Sequence, residues 1–266
     1  MTSTQTEHQS MELFKQSVMN SKYNKGEKDE IVTKVDLFYL NQSKQYDKLV
    51  NIFGESASNG IHIYDVKTRK IVTDLTELKK TSGQFKADCS VQMINTGDMY
   101  NISIKSNKCA MPTILNHTPR TAKVFKPDGI LHKHIQSLDL LMQEYIIKRT
   151  NKLIGEDILL IKLEKANDPL IRLSILNVLS YFMFDGTGRG VSKCSANSII
   201  VVHKEKYEFI KCTNELEKNT YINSMYDKWV ISLRNKGMPK NPSDYCMPWL
   251  YKTDESSKGS LHIRLK

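Results

Sequence analysis

The stretch from Phe85 to Ser106 constrains this chain more than any other. Apolar and polar side chains alternate through Phe85–Met93 and again through Met99–Ser106, with Asn95-Thr96-Gly97-Asp98 between them. Alternation with period two marks a strand with one buried face. Asn, Gly and Asp between two such runs favour a tight reversal, because Gly and Asn accept positive φ at little cost. The spacing therefore predicts an antiparallel hairpin. On its first strand Asp88, Ser90 and Gln92 share one face, and Ala87, Cys89, Val91 and Met93 the other. On its second, Ser103 and Lys105 share one face, and Ile102 and Ile104 the other. Pairing brings Asp88 beside Ser103 and Lys105, on the polar side of an otherwise apolar hairpin.

The segments around it read as both helix and strand. Met11–Met19, Glu30–Leu40 and Ser43–Phe53 have helical spacing, the second with an apolar stripe of Val32, Val35, Leu37, Phe38 and Leu40. Ile61–Val66 alternates, breaks at Lys67-Thr68-Arg69-Lys70 and resumes at Ile71-Val72, a second hairpin signal. After the turn Pro127-Asp128-Gly129, a helix is expected over Leu131–Arg149, then a short strand at Asp157–Leu163. Asp168-Pro169 pairs an N-cap with a first-turn proline and starts a helix reaching about Met183. Ser198–Val202 and Tyr207–Cys212 read as a strand pair, Thr213 or Asn214 as the cap of a last long helix towards Leu233, and Ser260–Leu265 as a final strand. This order predicts an α/β (α+β) fold, a mixed sheet flanked by helices. The expected division is an N-terminal helical segment, 1–42, and one domain over 43–266.

Composition narrows the partners. The formal charge is +10, and 39% of residues are hydrophobic. No apolar run is long enough for a bilayer, and the first ten residues lack the basic and apolar regions of a secretory signal, so no membrane partner is expected. Five widely spaced cysteines with no CxxC pair, and histidines with no HExxH pattern, exclude a zinc ribbon or zincin and fit reduced thiols. His132 and His134 read as surface residues, Trp229 and Trp249 as packing residues. Asn101–Pro127 carries five basic residues and no acid, and Lys228–Ser243 carries four and no acid. Acid-free basic windows suit a polyanion. Asp185-Gly186-Thr187-Gly188-Arg189-Gly190 is glycine-rich, but no Walker lysine follows and no strand precedes it, so it is a loop rather than an ATP site.

Asp88, a gap of 14 residues, and Ser103-x-Lys105 resemble the core of the PD-(D/E)XK nucleases. The wider chain, through Asn101–Ser106, Asn116-His117-Thr118-Pro119-Arg120, Phe184–Gly190 and Leu261–Leu265, is similar to type II restriction endonucleases of bacteria and large DNA viruses. The resemblance implies an αβββαβ restriction-endonuclease-like core, with Asp on one strand and an acid-x-Lys triplet on the next. Here Ala87 stands where the family has Pro, and Ser103 stands where it has the acid. Serine cannot replace a carboxylate as a strong metal ligand. Asp139 and Glu144 on the following helix, or Glu55 ahead of the sheet, are the candidates to supply it, with Glu144 expected beside Asp88 as a metal ligand.

The resemblance thus implies Mg2+-dependent, site-specific hydrolysis of double-stranded DNA. Asp88 would hold the metal, Lys105 would act on the attacking water or the phosphate, and Ser103 would support their placement. Asn116, Arg120, Lys123, Arg189 and Lys236 would face DNA. It further implies a homodimer, a companion DNA methyltransferase, and the cytoplasm of a bacterial or virus-infected cell. A non-catalytic nucleic-acid-binding protein on a degenerate core is the alternative, and an RNA-processing nuclease a third reading.

Overall fold

In a computed structural model the N-terminal part of the chain is helical: α1 (Ser3–Asn20), α2 (Lys25–Gln42) and α3 (Tyr46–Phe53). Residues 3–106, 113–116, 121–203, 206–233 and 261–265 are described. A capping box fixes the start of α2: Asn24 Oδ1 accepts the Glu27 amide at 3.0 Å, and Glu27 Oε2 accepts the Asn24 amide at 2.9 Å. A meander follows, β1 (Ile61–Tyr64), β2 (Cys89–Met93) and β3 (Met99–Ser106). The β2–β3 turn closes where expected, with Gly97 at φ 75° and its amide donating to the Met93 carbonyl at 2.9 Å.

The chain continues through β4 (Thr113–Asn116), α4 (Ile135–Thr150), β5 (Asp157–Leu159), α5 (Pro169–Ser180) and the two-residue strands β6 (Gly186–Thr187) and β7 (Gly190–Val191). It ends through β8 (Ser198–His203), β9 (Lys206–Lys211), α6 (Glu215–Ser224), β10 (Trp229–Leu233) and β11 (Leu261–Leu265). Asp168 caps α5 through the Leu170 and Ile171 amides, and Asn214 caps α6 through the Glu217 amide.

These elements form two units, Met1–Ala110 with Lys193–Thr213, and Met111–Ser192 with Asn214–Lys266. The first unit holds a five-stranded mixed sheet in the order β1-β2-β3-β8-β9. All its pairs are antiparallel except β3 with β8, which run parallel from Ile102↔Ser198 to Ser106↔Val202. A parallel pair needs a crossover connection, and residues 107–197 supply it. Ile31, Val35 and Leu37 of α2 are buried in one cluster with Cys89, Val91, Ile102, Ile104, Ile200 and Val202. Burying each large apolar side chain contributes about 1.5–3 kcal/mol, so the first two helices belong to the sheet's core. The expected boundary at residue 42 is corrected accordingly.

The second unit holds a four-stranded antiparallel sheet, β4-β11-β10-β5, together with α4, α5 and α6. The expected long helix towards Leu233 is a second correction. It stops at Ser224, and Trp229–Leu233 is a central strand buried along its whole length. A short apolar run buried on both faces has no alternation to reveal it. His134, expected at the surface, is buried, with Nδ1 3.3 Å from Ser174 Oγ. Gly186 opens the small β6–β7 hairpin, where a Cβ would lie 2.2 Å from the Tyr181 ring, so this glycine answers a close approach.

Candidate active site

β2 begins at Cys89, paired with Ile102, so Asp88 lies in the bend just before it and the expected strand over Phe85–Met93 is shorter at its start. Ser103 and Lys105 share one face of β3, and Ile102 and Ile104 the other; Asp88 meets β3 at Ile102 and Ile104. The Asp88 amide donates to the Ile102 carbonyl at 2.7 Å, and Asp88 Oδ2 accepts the Ile104 amide at 2.7 Å. The carboxylate thus fastens β3 at Ile104, beside the point where β2 begins. Asp88 and Lys105 are half-buried, and Lys105 makes no ion pair among the described residues. Ser103 is fully buried, and its hydroxyl has no hydrogen-bond partner among the described residues. An unsatisfied buried hydroxyl costs about 1–3 kcal/mol.

The acid brought towards Asp88 is Glu30, a residue not singled out from the sequence. It sits on α2, almost wholly buried, with Oε1 2.6 Å from Lys34 Nζ and accepting the Thr81 amide at 2.7 Å. Lys34 Nζ also donates to Thr81 Oγ1 at 2.7 Å and to the Lys79 carbonyl at 3.0 Å. Thr81 Oγ1 in turn donates to the Asp88 carbonyl at 2.6 Å, joining helix to strand. Burial pushes the Glu30 carboxyl above its usual range, the negative charge of Asp88 adds to this, and Lys34 only partly opposes it. Burial likewise pushes the Cys89 thiol up to about 12, which makes it an inert core residue rather than a nucleophile.

A buried carboxyl raised by the charge of a neighbouring carboxylate is suited to a cation, whose charge offsets that repulsion. Among the described residues no group of three His, Cys, Asp or Glu side chains gathers. A hard cation here would have two carboxylates and several waters. That suits Mg2+, which typically binds proteins through one or two carboxylates.

The other expected site residues lie elsewhere. Glu144 is in the second unit, where it pairs with Lys148 at 2.7 Å and accepts the Glu164 and Lys165 amides at 2.7 Å each. Its carboxylate is committed to fastening the turn after β5. Asp139 is on the same helix, and Glu55 is exposed in a short 3-10 turn after α3. Lys123 and Arg189 are exposed in the second unit. Asn116 is in β4, its backbone opposite His262 of β11. Arg120 and Lys236 lie outside the described residues, as does most of the 228–243 basic window.

Glu30 and Lys34 were open to detection, since four residues apart on a helix they form an ion pair whose ordinary reading is a solvated face. Their flanking by the buried Ile31 and Val35 is the signal that they face inward. No protein-family model matches the chain, and no curated protein matches it significantly.

Proposed function

We propose that the chain is a Mg2+-dependent endonuclease acting on double-stranded DNA, with a site-specific, restriction-type activity. The observation that carries this reading is the approach of Glu30, on α2, to Asp88, just ahead of β2, the two linked through Thr81. The β1-β2-β3 meander and its crossover to the parallel β8 agree with the αβββαβ layout of the resemblance. Glu30 takes over the metal-ligand role first given to Glu144.

Asp88 and Glu30 would hold the cation, and Ser103, buried in β3, would support the placement of the strand that carries Lys105. When bound, Mg2+ lowers the pKa of a water and offsets phosphate charge. Lys105 would hold the attacking water in line or meet the negative charge that develops on the phosphate oxygens. The net charge of +10 favours approach of a polyanion. Cutting both strands of a twofold site calls for a homodimer, and a companion methyltransferase would protect the host's own DNA.

Incubation with plasmid DNA and Mg2+ tests the reading. Discrete fragments are expected from the parent chain and none from Asp88→Ala, Lys105→Ala or Glu30→Gln, each losing at least about 10²-fold in rate. Intact DNA with every variant and the parent, together with salt-sensitive binding, would replace the enzyme by the non-catalytic binding protein. Ser103 in place of an acid and the Glu30–Lys34 ion pair favour that second reading.

A further inference from the structure

A cavity of about 530 Å3 in the first unit lies between the turn after β1 and the segment leading into β2. Lys67, Arg69 and Lys193 line it, with Gln84 and Phe85, and no Asp or Glu does. All three cations are exposed, and neither lysine forms an ion pair among the described residues.

The backbone that carries the cations is fixed by hydrogen bonds. Asp65, the nearest acid in sequence, spends its Oδ1 on the amides of Lys67 at 3.1 Å and Thr68 at 2.7 Å. The Arg69 amide donates to the Asp65 carbonyl at 2.9 Å, and Arg69 sits in the left-handed region at φ 60°. Its guanidinium reaches the buried Cys194. The Lys193 amide donates to the Gln84 carbonyl at 3.3 Å, and the Lys86 and Ala87 amides donate to the Cys194 carbonyl at 3.1 and 3.0 Å. These bonds join the walls of the cavity before any ligand arrives, which lowers the ordering cost of binding.

Location gives the cavity its meaning. Its apolar floor, Val66 and Phe85, is packed with Ala87 and Cys194, and Ala87 directly precedes Asp88. Phe85 and Asp88 are separated by at most about 10 Å of chain. That distance is about three phosphate steps along one DNA strand, at about 3.4 Å of axis each, so a carboxylate-free cation cluster here is within reach of a phosphate flanking one presented at Asp88.

We propose that Lys67, Arg69 and Lys193 bind a backbone phosphate of duplex DNA flanking the phosphodiester presented to Asp88. This rests on the endonuclease reading for the identity of the polyanion. Contacts of this kind fix position on the duplex and carry no sequence preference.

The test is equilibrium binding of the full chain to a fluorescent 20-bp duplex in EDTA, where nothing is cut, over a range of salt. The Lys67→Gln/Lys193→Gln pair and the triple variant that adds Arg69→Gln are compared with the parent after circular dichroism shows them folded. Losing one phosphate contact should lower the slope of log K against log salt by about 0.9 and weaken all duplex sequences alike. An unchanged slope and affinity in both variants would overturn the proposal. So would a change seen only with single-stranded RNA. Asp88→Ala, measured in parallel, separates the two readings. If the parent cuts nothing while the slope still falls in the triple variant, the phosphate site stands and the nuclease does not. If Asp88→Ala abolishes cutting while the slope is unmoved, the nuclease stands alone.

Discussion

The two units take polar groups out of water in different ways. In the second unit they are mostly neutral hydroxyls or cations met by acids. Tyr145 donates to the Glu156 carbonyl and accepts the Leu233 amide at 3.2 Å and Arg149 Nη1 at 3.1 Å. Tyr226 donates to the Ala166 carbonyl, and burial pushes its phenol up to about 12. The buried Lys218 faces Asp185 at 3.1 Å and Glu215 at 2.8 Å. In the first unit the buried group is a carboxyl, and it is less fully compensated: Glu30 stays raised even with Lys34 beside it. Idle neutral donors occur in both units among the described residues, Ser103 Oγ in the first and Trp229 Nε1 in the second. What sets the first unit apart is a buried acid short of compensation beside a second acid, which a cation would relieve.

That contrast can be broken most forcefully in the second unit. Trp229 is fully buried, and its indole nitrogen has no partner among the described residues. Trp229→Ala should cost about 3–5 kcal/mol in denaturant unfolding, and Trp229→Phe much less, since it removes an idle donor with little volume. Next, Tyr145→Phe leaves the Leu233 amide without its phenol partner and should cost about 1–3 kcal/mol. A neutral result would mean that this network is not what holds β10 against α4.

Smaller effects sharpen the first unit. Glu30 has a raised pKa in the folded chain, so the folded state keeps its proton to a higher pH than the unfolded state does. Its contribution to stability is complete below the ordinary carboxylate pKa and is lost as pH rises through the folded value. Melting temperatures should therefore fall over that window in the parent and stay flatter in Glu30→Gln. Added Mg2+ should recover the loss in the parent only, and identical profiles with and without the metal would count against a cation beside Glu30. The smallest expected change is in Glu30→Gln/Lys34→Met. Replacing a buried ion pair by neutral groups of similar size is often close to neutral for stability, so unfolding should hardly move while Mg2+-dependent cutting disappears.

The hairpin was legible because its determinants are local. Alternation fixes which side chains share a face, the Asn95–Asp98 turn fixes the register, and together they pair Cys89–Gln92 with Met99–Ile102. The caps at Asp168 and Asn214 were legible for the same reason. Trp229–Leu233 was misread because a strand buried on both faces and a short helix leave the same apolar run. Glu144 was chosen by its place after the triplet, but its oxygens are occupied by amides of a turn that sequence spacing does not specify.

By itself, then, the amino-acid order determined the strands, their faces, the tight turns and an excess of positive charge. Each follows from interactions among residues a few positions apart or from simple counting. Only the tertiary structure decided that α2 brings Glu30 towards Asp88, just ahead of β2, that β3 runs beside a parallel β8, and that Lys193 joins Lys67 and Arg69 around one cavity. Those meetings depend on which apolar faces pack together, and non-directional burial of apolar area leaves no trace in the spacing of the residues it brings into contact.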